Sequence, residues 1–152
     1  MRWFLKTAGS ALALTGLAKA FSAIGLAQVL DTVDPLIGVP FRQLLLAVGL
    51  VELFIAFFCL FTDKWRPSVL AVAWISTIFI VYRGGLRSIG WHRPCGCLGS
   101  LTEVLHISPD FADNIMKTVL VYLLVGSYAI LLWEWRRARG AKSAALAGFA
   151  PV

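Results

Sequence analysis

Charged residues are scarce in this chain: only 14% of its 152 residues are Asp, Glu, Lys or Arg, against 59% hydrophobic. A soluble domain of this length needs far more polar surface. That class is excluded and an integral membrane protein is indicated, in line with a mean hydropathy of +0.81. Cysteine is scarcer, with three residues at positions 59, 95 and 97. Cys95 and Cys97, separated by a single glycine, are the one closely spaced pair, and Cys59 stands far from them in sequence.

Four apolar windows are each near the roughly 20 residues needed to cross a bilayer. They cover about residues 8–28, 42–62, 67–86 and 114–135. They leave little room for a soluble domain. The fold expected is all-α: one four-transmembrane-helix antiparallel bundle over residues 1–135, followed by a cytoplasmic tail, 136–152. Arg2, Lys6 and the apolar stretch after them resemble a signal peptide. Apolar residues continue to Leu30, however, so the segment is read as a retained first helix.

Acidic residues are nearly missing from one set of helix ends. There Arg2, Lys6, Lys64, Arg66, Arg136, Arg137, Arg139 and Lys142 face only Asp63 and Glu134. At the other ends Arg42, Arg83, Arg87, Arg93 and Lys117 are balanced by Asp31, Asp34, Glu103, Asp110 and Asp113. The net charge of +6 therefore reads as membrane-edge charge that meets the lipid bilayer, and no nucleic-acid partner is expected. The excess of Lys and Arg on one side places both termini in the cytoplasm and the loop with Cys95 and Cys97 outside. In a bacterium this is an inner-membrane protein whose loop faces the periplasm, where disulfides persist.

Within the spans, Gly9, Ala13, Gly16, Ala20, Ala23 and Ala27 alternate at spacings of four and three, a small-residue face that permits close helix approach. Lys19 borders it. Glu52 occupies the small or polar face of the second window with Gly49, Ala56 and Cys59. An ionisable residue at that depth costs about 2.5–3.5 kcal/mol on insertion scales, so Lys19 and Glu52 are expected to meet. Their pairing is either a static lock or a proton or ligand site. Tryptophans mostly fall at membrane interfaces; Trp74 lies deeper and is expected to pack inside. Cys59 is read as a small buried hydrophobe.

In the outer loop, Ser100 and Glu103 form a capping box that starts a short interfacial helix through about His106. Ser108 then serves as N-cap with Pro109 at the first helical position. Between these lies Cys95-Gly96-Cys97. A bond across one residue forces a bend that Gly96 tolerates, and Pro94 and Gly99 favour a tight turn. Strained, exposed disulfides tend to be labile and oxidising. His92 and Arg93, with Arg87, are thiolate-stabilising candidates. Three readings stand open: an exchange-competent pair, a structural or interchain bridge, and a metal site. The last would use His92, Cys95, Cys97 and His106, a spacing that matches no common zinc pattern.

These residues resemble the methylamine-utilisation MauE branch of the DoxX-like, redox-associated membrane proteins, over about residues 10–135. Gly16-Leu17-Ala18-Lys19 resembles the family's Gly-x-x-Lys segment, Glu52 its glutamate-bearing second helix, and Cys95-Gly96-Cys97-Leu98-Gly99 its Cys-Gly-Cys-Phe-Gly motif. Leu98 stands where that motif has phenylalanine, and Asn114 fits an asparagine at the start of the fourth helix. The resemblance implies a four-helix bundle that supports maturation of periplasmic disulfide-containing proteins, such as the small subunit of methylamine dehydrogenase. The expected function is thiol–disulfide exchange with a periplasmic thioredoxin-like or disulfide-containing partner, with a quinone as acceptor if the pair is recycled through the membrane. A non-catalytic scaffold or accessory subunit is the alternative.

Overall fold

The computed structural model describes residues 2–24, 30, 32–62, 64–90 and 108–147, without the side chains of 109 and 141–147. Four helices occupy it: α1 (Arg2–Ile24), α2 (Phe41–Phe61), α3 (Trp65–Ser88) and α4 (Pro109–Ala147). Each is long and apolar enough to cross a membrane, as a multi-pass membrane protein requires. Among the described residues no strand is formed beyond an isolated bridge between Val33 and Pro40.

The inward faces recur at helical spacing. α1 buries Leu5, Ala8, Gly9, Leu12, Gly16, Lys19, Ser22 and Ala23, and α3 buries Ser68, Val69, Val72, Ala73, Ile75 and Ser76. Leu5, Leu12, Ile55, Val69, Val72 and Leu123 meet in the main core. The outward faces are larger and more apolar: Phe21, Leu50, Phe54, Phe57, Phe61, Leu70, Val81 and Val125 are all exposed. Water would penalise such a surface, whereas lipid accepts it and leaves close packing of small residues to hold the helices together.

Glycines set the closest approach. A Cβ on Gly9 would meet Cys59 and Leu60, and one on Gly16 would lie 3.0 Å from the Gly49 carbonyl oxygen. α3 and α4 are joined at three levels. Arg66 bonds Glu134 at 3.0 Å, the Thr77 and Tyr128 hydroxyls bond each other at 2.9 Å, and Arg83 pairs with Asp113. α1 reaches α4 through Thr7 and the Tyr122 hydroxyl, 2.7 Å apart, beside the Phe4 and Tyr122 rings.

Two helices outrun the predicted spans. α1 begins at Arg2, and α4 continues to Ala147 through the segment read as a tail. Arg, Lys and Ala in 136–147 are strong helix formers and carry the turn past Gly140. Pro109 opens α4 as expected, with the Ser108 carbonyl accepting from the Phe111 and Ala112 amides at 3.1 and 3.2 Å. Trp74 corrects the sequence reading. It is 66% exposed, because α3 turns residues 72, 73, 75 and 76 inward and residue 74 falls on the opposite side. The short helix expected through about His106 lies outside the described residues.

Candidate functional site

The loop residues His92, Arg93, Cys95, Gly96, Cys97, Gly99 and His106 lie outside the described residues; the structure shows how the loop's two stems are held. α3 ends at Ser88, and the chain turns through Gly90 at a φ of +75°, a left-handed conformation that glycine adopts without strain. α4 restarts at Pro109. Between these stems Arg83 of α3 donates to Asp113 Oδ1 on α4, and the ammonium of Lys117, one turn further along α4, lies 2.6 Å from Oδ2. This bridge ties both ends of the loop together in a half-buried setting, where an ion pair is screened less than at a free surface. Asn114, next along α4, is exposed, and its backbone carbonyl accepts from the Thr118 hydroxyl at 2.9 Å.

A second carboxylate at the same end is one that sequence reasoning passed over as part of a turn-rich connection. Asp34 is fully buried. Its Oδ1 accepts the Leu36 and Ile37 amides at 2.8 and 3.0 Å, and its Oδ2 accepts the Tyr82 hydroxyl. Its own carbonyl accepts the Gly38 amide at 2.8 Å, with Gly38 at a φ of +73° closing the turn. The available signal was Asp-Pro followed by glycine, an Asx-turn pattern, but nothing in it pointed to Tyr82. Adjacent residues of α3, Tyr82 and Arg83, thus fasten the α1–α2 connection and the foot of α4.

Removing one link tests this arrangement. Tyr82→Phe leaves Asp34 Oδ2 buried without its donor, and should cost about 1–3 kcal/mol. Thermal unfolding in detergent should show a clearly lower midpoint, with Tyr128→Phe as the comparison, since that hydroxyl is exposed. Equal, small losses from both variants would remove Asp34 from the structural account.

The third polar station is intramembrane. The structure brings Lys19 and Glu52 together as an ion pair, with side chains 4% and 1% exposed. The ammonium also lies 4.9 Å from the centre of the Phe79 ring of α3. Glu52 is central in α2, while Lys19 is past the middle of α1 because that helix starts at Arg2. The Gly16–Gly49 contact sits one turn away and sets the gap across which the two side chains meet. Glu52 Oε2 has no hydrogen-bond partner among the described residues. The pair joins α1 to α2 across the interior, with one carboxylate oxygen lacking a hydrogen bond among the described residues.

Cys59 is buried in the core against Gly9, with the environment of an apolar side chain. Among the described residues no three His, Cys, Asp or Glu side chains converge to hold a metal. The metal alternative rests on His92, Cys95, Cys97 and His106, all outside the described residues. Compared with family models, curated proteins and solved structures, the chain matches none.

Proposed function

We propose that this chain is a bacterial inner-membrane protein, an antiparallel bundle with both termini cytoplasmic, that presents Cys95 and Cys97 to the periplasm for thiol–disulfide exchange. A partner thiolate attacks one sulfur of the Cys95–Cys97 bond. That bond breaks, a mixed disulfide forms, and the other cysteine leaves as a thiolate. A second thiol of the partner then resolves the mixed disulfide, so the partner loses two electrons and Cys95 and Cys97 become a dithiol. A membrane quinone, taking up two electrons and two protons, is the natural acceptor for reoxidation.

The observation that supports this reading is the Arg83–Asp113 pair, which fastens the two stems of the cysteine loop to each other, with Lys117 of α4 on the same carboxylate. Stems held at a fixed separation keep the two ends of the segment that carries the pair in register through repeated bond exchange. The resemblance to MauE-type proteins adds the partner class, a periplasmic disulfide-containing protein.

Trapping with a membrane-impermeant maleimide in intact cells tests it. Labelling of Cys95 and Cys97 only after reduction is the expected result, and Cys95→Ser with Cys97→Ser should abolish partner oxidation while the bundle still folds. Labelling only in opened cells would reverse the topology and end the proposal. A second reading, an accessory subunit, is favoured by the outer face of α4, where Val121, Val125, Tyr128 and Leu132 are exposed. It predicts that the double serine variant keeps full function and still assembles with its partners.

A further inference from the structure

At the end of the bundle away from the cysteine loop, a cavity of about 330 Å³ opens between the start of α1, the end of α2 and the start of α3. Its floor is apolar, with Leu5 and Cys59 both buried. Its rim is polar and cationic: Arg2 and Lys6, four residues apart on α1, stand over it with Thr62 and Trp65. Two helices begin here, α1 at Arg2 and α3 at Trp65, and helix N-terminal ends favour anions.

Three aromatic–guanidinium stacks mark the same end. Arg66 lies 5.3 Å from the Trp65 ring centre, Arg137 5.0 Å from that of Trp133, and Arg139 3.6 Å from that of Trp135. Indoles settle at the level of lipid headgroups, and a stacked guanidinium keeps its N–H edge directed at what lies beside it. The cavity therefore sits at headgroup depth, with an apolar floor suited to acyl carbons and a cationic rim suited to phosphate.

We propose that this cavity binds the phosphate of an anionic phospholipid headgroup, with Lys6 as the principal contact and the Thr62 hydroxyl beside it. A phosphate group is the chemistry shared by lipid and free phosphate; the apolar floor assigns the lipid. Basic pockets between the ends of transmembrane helices are suited to such headgroups. The inference rests on the membrane reading alone and is independent of the thiol chemistry.

Native mass spectrometry of the purified full chain, titrated with phosphatidylglycerol or phosphatidylcholine, tests it. Phosphatidylglycerol should bind preferentially, and Lys6→Gln should weaken it by about fivefold, the effect of one basic residue at an anionic surface. Lys64→Gln removes the same charge from an exposed position outside the cavity and should change binding little. Equal retention of the two lipids would overturn the proposal. Equal losses from Lys6→Gln and Lys64→Gln would also overturn it, leaving only the diffuse field of the basic end. Displacement of bound lipid by inorganic phosphate at matched concentration would overturn the lipid assignment.

Discussion

Lys19→Ala is expected to destabilise the bundle by about 3–5 kcal/mol, the cost of breaking a buried ion pair from one side. The variant leaves Glu52, 1% exposed, without its ammonium partner in the interior of a membrane span. Removing both charges deletes that penalty together with the attraction. Lys19→Ala with Glu52→Ala should therefore lose less than Lys19→Ala alone, the residual cost coming from the space both side chains leave. Reversible unfolding in mixed detergent, followed by helical circular dichroism, gives the three free energies of the cycle. Additive losses from the two sites would show that the pair contributes no mutual stabilisation.

Gly49→Val is expected to fall near the upper end of the roughly 1–3 kcal/mol typical of overpacking. A Cβ on Gly49 would stand 3.0 Å from the Gly16 carbonyl oxygen and 3.4 Å from the Ala20 nitrogen. Both are backbone atoms and cannot rotate aside, so α1 and α2 must separate. Separation also stretches the Lys19–Glu52 pair one turn away. The expected signature is thus twofold: lower stability, and a smaller Lys19–Glu52 coupling when the cycle is repeated in the Gly49→Val background. Gly84→Ala serves as the control, since a Cβ there meets nothing within 4 Å. Unchanged coupling with reduced stability would mean that the two helices yield elsewhere than at the ion pair.

The intramembrane pair and the glycine contact were both legible in the chain. Lys19 and Glu52 stand out because ionisable side chains are rare in apolar spans and need a partner there. Gly9, Gly16 and Ala23 stand out by their spacing, and all three are buried. Asp34 and Tyr82 were not legible. They are 48 residues apart, and both types are common at membrane edges for other reasons. Arg83 and Asp113, 30 apart, were counted as edge charge, because sequence shows that the charges balance and not which ones touch.

Apolar length and the distribution of basic residues determined by themselves that this is a multi-span helical protein, since the bilayer imposes both requirements on each segment locally. The resemblance carried by Gly16, Lys19, Glu52 and the Cys95-Gly96-Cys97 motif supplied the functional expectation. Only the tertiary structure decided which angle of each helix is covered. Trp74, Tyr82 and Arg83 occupy one helix, yet the first is turned outward, the second grips a loop and the third grips α4. Helical periodicity gives the angle between such residues and says nothing of what fills each direction; that depends on neighbours brought in from elsewhere in the chain.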